Sequence, residues 1–250
     1  MKNKIKLLPV SILLPVFNEY DVIKDVIEQW NNKVLKKIKG SELIIDDCST
    51  DNTGLIIKKI KKNMHNIRYS FTRRDGFHNA IVRMAKKAKN STLFMTDSDG
   101  QYPVNSFWKL YRHVSDYDVV TGYKLERNDL LYRKFFSYTF NILISFLFFL
   151  KFKNFDFNCF YIFIDKKTFL FLDKKIKFLR LRFPSTELYL LATKYNLKIK
   201  RIPIKTFFRK YGKSNALPLT LILKIIFPVI LGIILLRINF FKNFGKISKQ

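Results

Sequence analysis

The sequence predicts an α/β protein whose mostly parallel sheet is flanked by helices, because three features recur along the chain. Short apolar runs alternate with longer segments whose apolar residues follow a helical spacing. Several of the apolar runs end in acidic residues, and turn-forming residues follow them. At 250 residues, the chain is long enough to bury one sizeable core.

The first half of the chain supplies strands and helices in alternation. The run "VSILLPV" at 10–16 is typical of a buried strand, and apolar residues at helical spacing extend from Val22 to Ile38. The run "ELIIDD" at 42–47 predicts a second strand, and the turn formers after it predict the start of a second helix.

The same alternation continues to about residue 122. It predicts a strand at 67–71, a helix over about 79–89, a strand at 92–97, a helix after Pro103 and a strand at 118–122. Alternating strands and helices favour a parallel sheet, because parallel strands need a crossover helix.

The composition narrows the possible partners. The chain has 47 Lys and Arg against 19 acidic residues, a formal net charge of +28, which favours an anionic partner. A hydrophobic content of 48% with 26 Phe favours an anionic membrane surface over nucleic acid. Only Cys48 and Cys159 are present, so we expect no disulfide framework and a reducing compartment. These features predict a membrane-associated protein on the cytoplasmic face.

Acidic side chains follow three of the predicted strands. Glu19 follows the first, Asp46 and Asp47 end the second, and Asp97 and Asp99 follow the fourth. The carboxyl ends of parallel strands share one edge of a sheet, so these carboxylates should converge. Like charges in one crevice need a compensating cation, and Mg²⁺ binds one or two carboxylates together with substrate phosphates. The sequence therefore predicts a site for a metal-bound nucleotide.

A simpler alternative is that the acidic and hydroxyl residues only cap the helices that follow them. This interpretation fits Ser49, Thr50 and Asp51, which are common helix-start residues. It accounts less well for Asp97 and Asp99.

Six short segments occur in an order and spacing that resemble a known family. They are "PVFNE", "IDDCSTDNT", "DSDGQYP", "GYKLERND", "DFNCF" and "RKYGKSN". The chain resembles family 2 glycosyltransferases of the polyprenyl-phosphate type, the dolichyl-phosphate mannose synthase group, over roughly residues 10 to 215. The resemblance implies a GT-A fold, Mg²⁺ or Mn²⁺, and inverting transfer of a sugar from a nucleotide-sugar to a polyprenyl phosphate.

The resemblance also implies roles for residues in the first two motifs. Pro15, Phe17 and Glu19 would line the nucleoside pocket, and Asp46 and Asp47 would recognise the base.

The later motifs are expected to serve the diphosphate and the acceptor. Asp97 would lie near the ribose and sugar, and Asp99 and Gln101 would hold the metal. Arg127 and Arg133 match the basic positions of the family's acceptor loop, where they face phosphate. The final basic motif is matched by Arg209, Lys213 and Ser214.

The sequence departs from the family at three places. Cys48 stands where Gly is frequent, and Lys124 stands where Arg is common, which keeps the charge but loses the bidentate fork. The segment 73–90 lacks the paired glycines usual before the fourth strand. These departures concern the fit of the donor sugar more than the chemistry.

The residue inventory favours a phosphate acceptor. Glycosyl transfer places negative charge on the departing diphosphate, which a metal and basic side chains would stabilise. A phosphate monoester is already anionic at neutral pH, whereas an alcohol needs a general base. The alternative is transfer to a saccharide hydroxyl in surface polysaccharide assembly, with Asp156 or Glu187 as the base. A non-catalytic membrane or nucleic-acid binder that retains the fold is a third hypothesis.

Two apolar segments are expected at a membrane. The uncharged residues 137–150 are too few to span and suit an interfacial helix. A glycosyltransferase domain over 1–214 would precede a hydrophobic tail at 215–250. Lys224 and two prolines interrupt that tail, so the sequence favours a pair of interfacial helices or a re-entrant hairpin over a single span. A buried core helix is the remaining alternative.

Overall fold

A computed structural model describes residues 7–126, 131–150, 156–179, 183–207 and 219–242. Within these ranges the chain forms one seven-stranded sheet with helices on its faces. The strands are β1 Val10–Val16, β2 Glu42–Asp47, β3 Ile67–Phe71, β4 Thr92–Thr96, β5 Val119–Glu126, β6 Tyr161–Asp165 and β7 Ile199–Lys205.

The helices separate the strands along the chain, as the alternating pattern predicts. They are α1 Ile23–Trp30, α2 Thr53–Lys61, α3 Phe77–Lys87, α4 Ser106–Tyr111, α5 Leu131–Leu147, α6 Lys166–Asp173, α7 Pro184–Lys194 and α8 Leu219–Lys242. A π-helical turn at Asn31–Leu35 continues α1. The predicted helix to Ile38 therefore ends a few residues early.

The sheet order is β3-β2-β1-β4-β6-β5-β7, and β6 alone runs antiparallel to its neighbours. The five strands predicted from the apolar runs are all present, and β5 extends beyond the predicted 118–122 to Glu126. The mostly parallel sheet is confirmed. The sequence analysis did not predict β6 or β7; β6 ends in an acid, Asp165, but no regular strand–helix alternation leads up to it.

Burial accounts for the central position of β1. All seven of its residues are buried, so both faces of the strand need apolar cover. One core cluster packs α1, the π-helical turn and α4 against one face, and a second packs α3, α6 and α7 against the other. The helices packed on both faces hold in place the sheet that carries the acidic residues.

Strand pairing places the acidic residues at one edge. In the register of β1 with β2, Pro15 lies beside Asp46 and Val16 beside Asp47. In the register of β1 with β4, Leu13 lies beside Met95, so Asp97 follows β4 level with the end of β1. The loops after these three parallel strands therefore meet, as the sequence predicts.

A third apolar cluster joins α5, α7 and α8. Its buried members include Ile144 and Phe148 of α5, Tyr189 of α7, and Ile233 and Phe240 of α8. The helix α5 begins and ends a few residues before the predicted 137–150 segment does.

Residues 219–242 of the apolar tail form a single helix. Pro228 lies inside α8 without ending it, so the interruption expected at this proline is wrong. The placement of the tail as interfacial helices or a re-entrant hairpin stays a prediction. A proline is compatible with a continuous helix when neighbouring packing holds its flanks, and Val229 beside it is buried. Over the described part of the chain, no helix is long and apolar enough to cross a membrane.

Gly232 lets α8 approach the loop before α7 closely. A Cβ at this position would lie 2.9 Å from the Phe178 carbonyl oxygen and 3.0 Å from Leu179 Cδ2. We expect Gly232→Ala to destabilise the protein by about 1–3 kcal/mol from this overlap, partly offset by a helix-propensity gain of about 1 kcal/mol. The change in the thermal unfolding temperature measures this loss of stability. Ile234→Ala, at an exposed position of the same helix, is the control, and an equal loss there would contradict the packing explanation.

Candidate functional site

The loops after β1 and β2 are tied to each other. The Asn18 N–H donates to Ser49 Oγ at 2.9 Å, and the Glu19 N–H donates to Thr53 Oγ1 at 3.0 Å. Asn18 has a φ of 54°, a left-handed conformation that Asn tolerates better than most residues. These contacts fix the "PVFNE" loop against the start of α2. This structural role of the hydroxyl groups differs from the helix capping that the simpler alternative expected, since the N-cap of α2 is Asn52 and makes no side-chain cap bond.

Asp47 is fully buried, and both of its carboxylate oxygens accept hydrogen bonds. Oδ1 accepts from the Ser49 N–H at 2.9 Å, and Oδ2 accepts from the Tyr69 hydroxyl at 2.9 Å. Burial, followed by the hydrogen bond to Asp47, raises the pKa of Tyr69 well above its usual range. Asp47 therefore organises the turn after β2.

Asp46 is also buried and lies in an ion pair. Its Oδ2 accepts from Arg83 Nε at 2.8 Å, and its Oδ1 accepts from Thr72 Oγ1 at 2.8 Å. Arg83 Nη1 also contacts Asp75 Oδ2 at 2.5 Å. The carboxylate oxygens of the acidic pair expected at the nucleobase are thus turned to protein donors, those of Asp47 toward Tyr69 and those of Asp46 toward Arg83. Contact with a base stays a prediction.

An aromatic and a basic side chain lie beside this edge of the sheet. Pro15 is buried in β1, and the ring of Phe17 is half-buried just beyond the strand. The Arg74 guanidinium lies 4.0 Å from the centre of that ring. Cys48 is half-buried in the adjoining turn, where burial and then the Asp47 carboxylate raise the pKa of its thiol.

Asp97 and Asp99 lie after β4, on the other side of β1 from Asp47 and Tyr69. Burial, the neighbouring Asp99 carboxylate and, to a smaller extent, Glu19 raise the pKa of Asp97 to about 8, while Lys124 on β5 lowers it. Negative charge is therefore crowded here and only partly compensated. Such a crevice stabilises a bound cation.

The loop after Asp99 is joined to the end of β7. The Gln101 N–H donates to Asp99 Oδ1 at 3.0 Å. The Phe207 N–H donates to the Gln101 carbonyl at 2.8 Å, and Gln101 Nε2 donates to the Phe207 carbonyl at 3.3 Å. The chain thus passes beside this loop immediately before the "RKYGKSN" motif. Sequence reasoning gave no sign of this connection.

The side chains that could ligate a metal ion here suit one only together with a substrate. Throughout the described ranges, no group of three or more His, Cys, Asp or Glu side chains is arranged to hold a metal ion. Mg²⁺ binds proteins through one or two carboxylates plus substrate phosphates, so Asp99 and the Gln101 amide oxygen fit a site that a diphosphate completes.

The two candidate bases for a hydroxyl acceptor are buried. Glu187 is fully buried, and its carboxylate accepts from the N–H groups of residues 177–179 at 2.7–3.2 Å. Asp156 is 4% exposed and accepts from the Asn158 N–H at 3.2 Å. Glu187 has a clear structural role in holding the segment before α7.

Several predicted site residues have no described side chain. Arg133 lies in the first turn of α5, directly after the acceptor-loop motif. The other predicted site residues of the two late motifs, Arg127, Arg209, Lys213 and Ser214, lie outside the described residues. Their roles remain predictions.

The sequence analysis missed three side chains that contact the predicted nucleoside-binding residues. Tyr69, Arg74 and Arg83 come from β3, the loop after it and α3. A buried acidic pair needs nearby donors, which was the available signal. The sequence alone did not show which of the many basic residues would supply them.

Comparisons with known proteins agree with this architecture. The model of the glycosyl transferase family 2 matches residues 11–175. Undecaprenyl-phosphate 4-deoxy-4-formamido-L-arabinose transferase from Pectobacterium atrosepticum is 31% identical over 139 residues, covering 54% of this chain and 42% of that protein. The protein of the same name from Yersinia enterocolitica is 28% identical over 149 residues, covering 58% and 46%. The chain thus spans less than half the length of these relatives.

Solved structures share the fold. Glucosyl-3-phosphoglycerate synthase from Mycobacterium tuberculosis in complex with UDP superposes with a TM-score of 0.70 at 16% identity, covering 92% of this chain and 80% of that one. Its complex with Mn²⁺, UDP and glucosyl-3-phosphoglycerate gives the same TM-score, identity and coverage. At this identity the likeness shows a GT-A-like α/β fold. Since the family model covers more than half of the chain, the protein belongs to glycosyl transferase family 2.

Proposed function

We propose that the protein transfers a sugar from a nucleoside-diphosphate sugar to a polyprenyl phosphate, with inversion at the anomeric carbon. The observation that carries the proposal is the crowded pair Asp97 and Asp99 beside Lys124, at the edge of the sheet where α/β folds bind ligands. The names of the relatives, which are undecaprenyl-phosphate sugar transferases, support the choice of acceptor.

The donor would lie along the carboxyl edge of β1, β2 and β4. Its base would occupy the pocket of Phe17 and Glu19, with Asp46 and Asp47 beneath, and its diphosphate would reach Asp99 and Gln101. A divalent metal held there would neutralise the charge of the leaving diphosphate. Mg²⁺ and Mn²⁺ both suit these oxygen ligands.

The acceptor would enter from the side of α5. A phosphate oxygen of the lipid attacks the anomeric carbon, and the bond from that carbon to the diphosphate oxygen breaks. Asp97 would lie beside the sugar, and Arg127 and Arg133 would bind the acceptor phosphate, so no protein base is required. Arg209, Lys213 and Ser214 would follow the Phe207 contact toward the same phosphates.

The orientation of α5 supports a lipid acceptor. Its polar residues Asn141 and Ser145 are each 5% exposed and face the protein, four residues apart. Its exposed residues are mostly apolar or aromatic, with Lys134 and Thr139 as the polar exceptions, and Phe149 follows in the turn after the helix. The exposed apolar and aromatic residues of the helix are Leu131, Phe135, Tyr138, Ile142, Leu143 and Phe146. A helix that buries polar residues and exposes apolar ones fits an apolar surrounding medium.

The exposed side of α8 extends this apolar surface. Its outward residues are Phe227, Ile230, Leu231, Ile234, Leu235, Ile238 and Phe241. Phe149 and Phe241 lie 5.8 Å apart between ring centres, so the two helices form one surface, the α5–α8 face. We place this face at the membrane, with the 215–250 tail as part of the anchor. The net charge of +28 favours the anionic cytoplasmic leaflet.

A transfer assay tests the proposal directly. Full-length protein in detergent is given labelled UDP-, GDP- and dTDP-sugars with Mn²⁺ and undecaprenyl phosphate. We expect one donor to yield a lipid-linked sugar and to lose activity in chelator. Transfer only to free saccharides would overturn the lipid-phosphate acceptor and favour the hydroxyl alternative.

The α5–α8 face predicts which side chains bind vesicles. Replacing Phe135, Phe146 and Phe149 together by Ser should weaken sedimentation with phosphatidylglycerol-containing vesicles by at least about tenfold, because each exposed ring loses apolar burial in the interface. The control is Phe171→Ser, an exposed aromatic residue on α6. Equal losses in both variants would contradict this face as the membrane contact.

A further inference from the structure

One end of the α5–α8 face carries an arginine beside two aromatic rings. The Arg237 guanidinium carbon lies 5.2 Å from the centre of the Phe149 ring and 5.3 Å from the centre of the Phe241 ring. The two rings are 5.8 Å apart, so the cation lies over the notch between them. The buried rings of Phe148 and Phe240, next to them in the chain, pack edge to face at 5.2 Å and join the ends of the two helices. Arg237 is therefore held at a fixed place on a largely apolar surface.

Arg237 has no anionic partner among the residues that the structure describes. No acidic side chain in those ranges forms an ion pair with it, and its Nη1 is buried there without a hydrogen-bond acceptor. The sequence segments that adjoin the two rings, 150–155 and 242–250, contain lysines but no acidic side chain. A buried charged donor without an acceptor is costly, so the site favours an anion supplied from outside the chain.

The backbone at Phe149 is strained. Its φ is 53°, in the left-handed region, where glycine is the usual residue just after a helix. The Leu150 N–H donates to the Ser145 carbonyl at 2.9 Å, which is the bond that closes such a helix end. A phenylalanine here costs conformational energy that glycine would avoid, yet its ring is 76% exposed. Burial within the protein recovers little of that cost, whereas contact with a surrounding ligand would offset it.

The surroundings of Arg237 select the kind of anion. A guanidinium presents paired N–H donors that match two oxygens of a phosphate. The apolar side chains around it suit acyl chains, and a long basic side chain on such a surface reaches the level of the headgroups. A phospholipid offers both the phosphate and the acyl chains, whereas a free phosphate offers only the first.

The site is separate from the predicted acceptor phosphate. Arg133 lies in the first turn of α5, and Phe149 follows the last turn. With a rise of about 1.5 Å per residue, the helix carries the chain roughly 21 Å from Arg133 to Leu147. A phosphate at Arg237 therefore belongs to a second molecule.

We propose that Arg237, with Phe149 and Phe241, binds the phosphodiester of an anionic phospholipid. Phosphate contacts at opposite ends of α5 would hold this helix parallel to the bilayer surface, with the acceptor loop at the level of the headgroups. The inference rests on the membrane contact proposed for the α5–α8 face and not on which sugar is transferred.

Vesicle partitioning of the full chain tests the site. The vesicles contain phosphate-free digalactosyldiacylglycerol with an equal fraction of either phosphatidylglycerol or hemisuccinyl diacylglycerol, so the surface charge is matched and only one anionic lipid carries phosphate. We expect the wild type to bind the phosphatidylglycerol vesicles roughly three- to tenfold more tightly. Arg237→Gln should lose this preference. Arg237→Lys should show a smaller preference than the wild type, because it keeps the charge without the planar fork.

The control for charge is Arg112→Gln, which removes one positive charge from an exposed position at the end of α4. This variant should keep the full preference for phosphatidylglycerol.

Phe149 allows a measurement that a purely structural role would not change. Phe149→Gly should not lower the unfolding temperature, because glycine relaxes the left-handed residue, yet it should reduce the preference for phosphatidylglycerol. Phe135→Ala, an exposed position near the other end of α5, should weaken binding to both vesicles alike. A Phe149→Gly variant that keeps the full preference would remove Phe149 from the site.

The outcomes separate this inference from the proposed function. An unchanged preference in Arg237→Gln, or equal affinity of the wild type for both vesicles, would overturn the site while leaving the membrane contact intact. Inorganic phosphate at constant ionic strength should not abolish the preference, and its loss would assign the site to free phosphate instead of lipid. If the wild type binds neither kind of vesicle, the membrane contact itself is wrong and this inference falls with it.

Discussion

Asp99→Asn is expected to lower metal-dependent sugar transfer by at least about a hundredfold, because an amide attracts a dication far less than a carboxylate does. The fold should survive. Asp99 Oδ1 accepts from the Gln101 N–H at 3.0 Å, and the amide oxygen of Asn can accept the same bond. The loop that meets Phe207 should therefore keep its geometry, and the unfolding temperature should change little.

The measurement pairs transfer rates with Mn²⁺-dependent nucleotide binding. Asp116→Asn is a matched control, since Asp116 is an exposed acid before β5, at the opposite edge of the sheet. We expect the control to keep both activities. An Asp99→Asn enzyme that transfers at the wild-type rate, or that works in excess chelator, would remove Asp99 from the metal site.

The fold around the acidic edge was predictable because the apolar runs, the acids that follow them and the parallel strand pairing all indicate the same arrangement. The runs at 10–16, 42–47 and 92–97 are apolar enough to be buried on both faces, and acids follow each. Parallel pairing then places Glu19, Asp47 and Asp97 near one crevice without information beyond the strand order.

The second half of the chain was harder to predict, for physical reasons. The strand β6 pairs antiparallel between β4 and β5, a long-range arrangement that no short motif specifies. The prolines of the tail suggested a break, yet α8 continues through Pro228 because its inner face packs on α5 and α7. At Pro228, packing against α5 and α7 outweighed the tendency of proline to end a helix.

The predicted nucleoside-binding residues show a similar limit. The sequence marks Asp46 and Asp47 as candidates for a ligand, but their burial requires donors, and Tyr69 and Arg83 supply them. Arg74 is one basic residue among 47 Lys and Arg, and only the structure places it over Phe17. In a chain this basic, only the structure shows which residue a particular arginine contacts.

Glu187→Gln is the second change with a large expected effect, and it acts on stability. The buried carboxylate accepts from the N–H groups of Lys177, Phe178 and Leu179, with Leu179 the shortest at 2.7 Å. A glutamine offers one oxygen and turns an NH₂ group toward donors, so at least one N–H loses its partner. We expect a loss of about 3 kcal/mol, because buried bonds to a charged acceptor are among the stronger ones.

For a chain of this size, that loss corresponds to roughly 6–12 °C in the unfolding temperature, measurable by scanning fluorimetry in detergent. The same variant separates the two acceptor hypotheses. If Glu187 only anchors the segment before α7, its correctly folded fraction should transfer sugar to undecaprenyl phosphate at the wild-type rate per folded molecule, with an unchanged pH profile. A variant of wild-type stability that loses transfer and its acidic pH limb would identify Glu187 as a general base. That result would favour a hydroxyl acceptor, since a phosphate acceptor needs no such group.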